Sequence, residues 1–301
     1  MTTMNVPATK TSARRYLSCL RPQDIIVLQG SPLLGAAFAI RHPAMGDLGP
    51  LLTLLLGNVF LVTHIFMLND WAGLRTDLAD PNKAGGVFTA RGVGRREIGA
   101  LTAGFLVVSL LFFSRLAPVT FGIAMAIAIL SALYSLPFFN WKGTPVLNSV
   151  AHLSGGILHF LLGYSLKDGI DSRGVVIASF FALIFAAGHL TQEIRDHEGD
   201  ALNHIRTNAV TYGPRRAFVA SLILFAVAHI VLLTLALRGI VPRPLAGVVV
   251  LFVVQLFWSL GTLRSGLTYA SVSRLQTRYR ALYAIIGVAI VAAVWAPHSG
   301  L

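Results

Sequence analysis

The chain has 301 residues, 55% of them apolar or aromatic and only 12% charged, with a mean hydropathy of +0.72. Soluble domains carry about 25% charged residues, so disorder, a coiled coil and a pair of soluble domains are excluded, and an all-α polytopic membrane bundle remains. The net charge of +12 would suit nucleic acid in a soluble protein; in so apolar a chain it reflects topology and anionic membrane lipid, and no nucleic-acid partner is expected.

Residues 1–22 are polar and basic and lack the apolar core and small-residue cleavage site of a secretory signal. They read as a cytoplasmic tail before a single transmembrane domain over 23–301. The lone Cys19 excludes a disulfide framework or a cysteine-built metal site. About 20 residues of helix cross a ~30 Å hydrocarbon layer. Apolar runs then give nine candidate membrane helices, near 23–40, 50–72, 97–114, 117–138, 146–166, 174–193, 216–237, 243–263 and 280–297. Pro32 and Pro137 fall in or at the edge of these runs, which membrane helices tolerate.

Placing the N-terminus in the cytoplasm puts 18 of the 24 Lys and Arg on that side; only Arg41, Arg115, Lys167, Arg173, Arg238 and Arg243 lie opposite. The positive-inside rule therefore predicts a multi-pass protein with a cytoplasmic N-terminus and, after nine crossings, an external C-terminus. Nine of the 12 acidic residues share the cytoplasmic side, and seven of those nine form two short clusters. Each cluster follows a helix running inward, the second and the sixth, as if two related halves each carried the same device.

The first cluster runs from Asn69-Asp70 through Asp77 to Asp80, and the second from Glu193 through Asp196 and Glu198 to Asp200. On a continuous helix Asp70 and Asp77 share one face, as do Glu193, Asp196 and Asp200 at i, i+3 and i+7. Two carboxylate faces at one depth repel unless cations lie between them, and carboxylate oxygens suit Mg2+, which shares itself with substrate phosphates. A solvated helix end is the plain reading of either cluster alone. Two on equivalent helices point instead to a metal site shared with substrate phosphates. Lys83, Arg91, Lys142, Arg195 and Arg206 accompany them, and such a mixture of acids and cations is what a diphosphate requires. Each of these cations could equally be a positive-inside anchor. His189, four residues before Glu193, could orient a metal ligand or assist the acceptor, or simply make a buried helix-to-helix hydrogen bond.

The run Glu193-Ile194-Arg195-Asp196-His197-Glu198-Gly199-Asp200, continued by Ile205-Arg206-Thr207 and closed by Tyr212-Gly213, resembles the second aspartate motif of the UbiA superfamily of membrane-embedded prenyltransferases. The first cluster resembles that family's other motif, and Tyr134-Ser135-Leu136-Pro137 with Lys142 resembles its loop between helices four and five. The resemblance implies a central cavity with two Mg2+ ions bridging both motifs to an isoprenoid diphosphate, held by Asn69, Asp70 and Asp77 of the first motif and Glu193, Asp196 and Asp200 of the second. It places Tyr134 and Lys142 near the diphosphate or the reacting carbon and Asp196 at the catalytic centre. It implies transfer of the isoprenoid to an aromatic or other lipophilic acceptor, with membrane lipid as surroundings. Two departures stand out: Gly73 replaces the usual middle Asp, and Gly85-Gly86 replaces an Arg-Pro pair. They point to a divergent, specialised-metabolism member, with Asp80 a possible substitute for the missing acid.

The chemistry expected is ionisation of an allylic diphosphate, with the cation held by aromatic faces such as Phe66, Trp71, Tyr134 and Phe138. A terpene cyclase acting on the prenyl diphosphate alone shares every motif. A membrane transporter is the rival from another class, but its acids belong near mid-membrane, whereas these cluster at helix ends.

Overall fold

In the computed structural model of the protein the described residues are 12–167 and 169–296. They contain helices and no strand. The α-helices are α1 (Ser12–Leu17), α2 (Pro22–Val27), α3 (Gly30–Ala39), α4 (Leu48–Ala79), α5 (Arg95–Phe113), α6 (Pro118–Ser135), α7 (Leu147–Tyr164), α8 (Ser172–Leu202), α9 (Asn208–Tyr212), α10 (Pro214–Leu237), α11 (Leu251–Ser265) and α12 (Tyr269–Trp295).

Seven helices among the described residues are long and apolar enough to cross a membrane, where nine were expected. They match every expected span except the first and the fifth. The first is divided into α2 and α3, which meet at Leu28 and Gln29. The fifth, α7, has 18 residues but carries Asn148, two Ser, two His and three Gly among its apolar residues. α3 and α7 belong to the interior, whereas α2 leaves Ile26 and Val27 exposed: α7 lies between α3, α6 and α8, and much of it is buried. Backbone meets backbone at the α3–α7 contact, where a Cβ on Gly35 would stand 2.1 Å from the Phe160 carbonyl oxygen and one on Gly163 only 1.7 Å from that of Pro32. Small residues permit such close approach between helices that gain little from hydrophobic exclusion in lipid.

Helix ends also differ from the expected spans where charges lower the local hydropathy without ending the helix. α12 begins at Tyr269, capped by the Thr268 hydroxyl accepting from the Ser271 N–H at 3.2 Å. Its basic turns dock elsewhere in the bundle: Arg280 Nη2 donates to Asp24 at 2.7 Å, and Arg278 sits over the Trp258 ring. Within the expected tail, residues 1–11 lie outside the described part. Arg15 and Tyr16, on α1, both hydrogen-bond Glu97 at the start of α5, at 3.0 and 2.6 Å.

The two longest helices carry the acidic clusters. α4 has 32 residues and α8 has 31, so each is about 46–48 Å long, well beyond a ~30 Å hydrocarbon layer. Each therefore continues as helix through its acidic run, and the two ends meet: Asn203 Nδ2 donates to the Thr76 carbonyl at 3.0 Å. Gly199 makes the approach possible, because a Cβ there would fall 2.2 Å from the buried Asp80 carboxylate.

Candidate active site

Local sequence explains how the second cluster is presented. α8 starts at Asp171, whose carboxylate accepts from the Gly174 N–H at 2.6 Å. It ends at Leu202, and the chain turns back into the short α9, capped by the Thr207 hydroxyl. Gly213, at φ 90°, then makes a turn that favours glycine, with Pro214 opening α10.

Cations from three segments lie across the two acidic helix ends. Lys83, in the loop after α4, places Nζ 3.0 Å from Asp196 Oδ2 on α8 and 3.6 Å from Asp80 Oδ2. Burial by itself would lower the Lys83 ammonium, but Asp196, with Asp200 and Asp77 behind it, lifts it above its ordinary value. Arg195 grips Asp196 with both arms of its fork, Nε to Oδ1 at 2.6 Å and Nη2 to Oδ2 at 3.0 Å. Its remaining arm donates to Gln276 on α12 at 3.1 Å. Arg21, just before α2, pairs with Asp70. The Lys142 ammonium forms no ion pair among the described residues but lies near enough to both Asp70 and Asp200 to act on them electrostatically.

Among the described residues the side chains of Asn69, Asp77 and Asp200 make no hydrogen bond or ion pair. Asp200 is nonetheless 6% exposed. A buried carboxylate without partners is costly and is suited to receive a cation. The donors offered here are all oxygens, the chemistry Mg2+ prefers. No three His, Cys, Asp or Glu among the described residues are gathered closely enough to hold an ion by themselves. An ion here would need further oxygens, which a diphosphate supplies.

Glu193 is committed differently from its neighbours. It is 3% exposed. Its Oε1 accepts from Asn208 Nδ2 at 3.0 Å and its Oε2 from the Ala209 N–H at 3.2 Å, which ties α9 to α8. His189 Nε2 lies 2.8 Å from Glu193 Oε1, off the line of a hydrogen bond, and neither nitrogen of His189 has a hydrogen-bond partner among the described residues. The His189 ring instead stacks on His152 of α7 with centroids 3.4 Å apart, and Tyr134 stands edge-on to His152 at 4.8 Å. Tyr134 also stands edge-on to His189, with centroids 6.1 Å apart, which puts it beside the Glu193 end of the second cluster.

The structure thus brings together Asp70, Asp77, Asp196, Asp200, Lys83, Lys142, Tyr134 and His189. Arg91 faces Asp70 and Arg21 across a cleft of about 70 Å3 that Cys19 and Phe88 also line. Arg206 is exposed and pairs with none of the acids among the described residues. Asp80, weighed as a substitute for the acid missing at Gly73, is buried, caps its own turn through the Asn82 N–H at 2.9 Å and seats Lys83. Two expected aromatics lie elsewhere: Phe138 is 90% exposed, and Trp71 packs on α5 beneath Arg95. Phe66 does lie at the site, under the Arg21 guanidinium. Sequence reading missed Arg21, Asn148, His152 and Asn208. Only Arg21 carried a local signal, as a cation directly before a helix-opening proline.

Residues 31–267 match the UbiA prenyltransferase family. A lycopene elongase/hydratase from Haloferax volcanii is 31% identical over 71% of this chain and 71% of its own length. Among solved structures, a UbiA homolog from Archaeoglobus fulgidus bound to DMAPP and Mg2+ has a TM-score of 0.71 at 18% identity, over 92% of this chain and 99% of that one. The apo UbiA homolog from Aeropyrum pernix K1 has a TM-score of 0.74 at 17% identity, over 91% and 98%. At these identities the structural likeness speaks for the fold, while the family match rests on the sequence itself. The chain belongs to the UbiA prenyltransferase family.

Proposed function

We propose that the protein transfers an isoprenoid chain from an allylic prenyl diphosphate to a lipophilic acceptor within the membrane, using two Mg2+ ions. The observation that carries this reading is the meeting of two acidic helix ends whose Asn69, Asp77 and Asp200 have no hydrogen-bond or ion-pair partner among the described residues, with Lys83 on Asp196 and Lys142 nearby. Asn69, Asp70, Asp77, Asp196 and Asp200 would hold the metal, which supplies charge neutralisation at the departing oxygens. Glu193 supports α9 from behind this set. The A. fulgidus homolog bound to DMAPP and Mg2+ supports the same ligand chemistry here. We read α2–α3 and α7 as completing nine crossings, with the site on the cytoplasmic side, as the Lys and Arg distribution favours.

In the reaction the allylic C–O bond breaks and the diphosphate leaves with the electron pair. Lys83, Lys142, Arg91 and Arg21 face the charge that develops there. Tyr134 and Phe66 offer aromatic faces to the allyl cation. An electron-rich carbon of the acceptor then bonds to the cation, and the adduct releases a proton. Arg195, engaged by Asp196 and Gln276, orients Asp196. The lycopene elongase/hydratase relative favours an acyclic polyene as the first acceptor to try, with aromatic acceptors next.

The purified protein in nanodiscs with Mg2+ should be given dimethylallyl, geranyl and geranylgeranyl diphosphate, with and without polyene and aromatic acceptors. Metal-dependent release of diphosphate together with a prenylated acceptor is expected. A cyclic hydrocarbon or alcohol formed from the donor alone would replace transfer with cyclisation. Uptake into proteoliposomes that depends on Asp196, without prenyl turnover, would replace both with transport.

Gly73 offers a separate check of which face meets the metal. A Cβ there would lie 3.4 Å from Asp77 Oδ2 and 3.9 Å from Asn69 Oδ1, ordinary contacts on the same face. Gly73→Asp should therefore fold normally and lower the Mg2+ concentration for half-maximal activity about three- to tenfold, because a hard cation gains an oxygen ligand. An unaltered Mg2+ titration would mean that this face does not hold metal.

A further inference from the structure

Lys142 sits on a loop whose backbone is held in an unfavourable shape. In the segment joining α6 to α7, Val146 has φ 66° and ψ −48°, and the Leu147 N–H donates to the Pro145 carbonyl at 2.8 Å. This is the three-residue γ-turn that is rare and strained for L residues, and a β-branched side chain makes it worse. The Val146 side chain is 56% exposed, so packing does not hold it there. Strain of this kind persists only where the surroundings over-determine it.

The hold comes from Asn208, on α9, far along the chain. Asn208 Oδ1 accepts from the Val146 N–H at 2.8 Å. Its Nδ2 faces three acceptors: Asn148 Oδ1 at 2.7 Å, Ser149 Oγ at 3.0 Å and Glu193 Oε1 at 3.0 Å. Asn148, fully buried, in turn directs Nδ2 to the Lys142 carbonyl at 3.4 Å. One carboxamide therefore joins the Lys142 loop, the start of α7, α9 and the acidic run of α8. Its orientation is unambiguous, since oxygen meets an N–H and nitrogen meets a carboxylate. Aspartate would place two carboxylates together and leucine would make none of these bonds.

We propose that Asn208 is a positioning residue for prenyl transfer: it clamps the Val146 turn and, through Asn148, the Lys142 carbonyl, and thereby fixes Lys142 near the two acidic helix ends, where the donor diphosphate binds. This rests on the reading of Lys142 as a diphosphate ligand given above. Lys142 is useful only if its ammonium is presented in register with both acidic ends, and a relaxed turn at Val146 would redirect the loop that bears it. Buried amide networks that are fully satisfied specify one arrangement in this way.

The test is binding of inorganic pyrophosphate with Mg2+ to the full chain in nanodiscs, measured calorimetrically. Lys142→Met should weaken binding at least tenfold. Asn208→Ala should weaken it about tenfold, and Asn208→Ala added to Lys142→Met should cost nothing more, the non-additivity of residues acting through one another. Val146→Gly, which adopts the turn without strain, should restore most of the affinity lost in Asn208→Ala; a purely structural role for Asn208 in seating α9 would not be rescued there. Unchanged affinity in Asn208→Ala, additive losses, or no rescue by Val146→Gly overturns the proposal. Unchanged affinity in Lys142→Met instead removes the reading beneath it. Should Asn208→Ala fail to fold, Asn208→Ser, which keeps a hydroxyl but cannot span both sides, is judged by the same criteria.

Discussion

Asp200→Asn is expected to lower kcat/KM for the prenyl diphosphate by about 10³-fold while leaving the folded protein at least as stable as its parent. Both halves of this expectation have the same cause. Asp200 is 6% exposed and its carboxylate meets no hydrogen-bond or ion-pair partner among the described residues, so it costs stability as it stands. An amide of the same shape lowers that cost, since an unpaired neutral group is cheaper to bury than an unpaired charge, and removes the charge that would receive the metal. Asp196 makes the contrast: it neutralises both Arg195 and Lys83. Asp196→Asn should therefore lose activity and also lower the melting temperature, because Arg195 loses its counter-charge and Lys83 keeps only the longer contact to Asp80. Thermal unfolding and steady-state kinetics on the two variants separate the roles. Near-normal turnover in Asp200→Asn would remove the acid from the site.

Gly163→Ala should prevent the bundle from assembling. The added carbon would stand 1.7 Å from the Pro32 carbonyl oxygen and 2.9 Å from the Ala36 nitrogen. These are backbone atoms of α3, which cannot turn aside as a side-chain end can. Separating α3 from α7 would forfeit contacts along a buried interface and cost about 4 kcal/mol or more, the range of severe overpacking. α7 also carries Asn148 and His152, so a displaced α7 disturbs the site as well as the core. The expected result is little monodisperse protein on extraction into detergent, or a melting temperature lowered by many degrees. Gly122→Ala, where a Cβ meets nothing within 4 Å, is the matched control and should behave as the parent. Equal stability of the two variants would mean that the α3–α7 contact is looser than described.

The parts of this architecture legible in the sequence are those that depend on neighbouring residues. Asp70 and Asp77, or Glu193 and Asp200, share a face once the helix runs unbroken, and α4 and α8 do run through their acidic segments. Hydropathy located the long spans, yet it ran together the first expected span, which the structure divides into α2 and α3, and made α7 look like any other crossing. In α7 the many small and polar residues reflect neighbours that are protein rather than lipid. Hydropathy also stopped α12 short, because Arg274, Arg278 and Arg280 lower the average while the helix continues.

What the sequence determined by itself is the class of molecule: an apolar helical bundle with two acid-bearing helix ends and basic residues beside them. What only the tertiary structure decided is how those charges are spent. Lys83 lies on Asp196, Arg21 on Asp70, and Glu193 is given over to Asn208 and Ala209. Asp77 and Asp200 remain without partners among the described residues. Helical periodicity follows from each residue's near neighbours, so it can be read along the chain. The choice of partner for a charge is a competition among groups from remote segments, won by whichever the packing of α4, α7, α8 and α9 brings within about 3 Å.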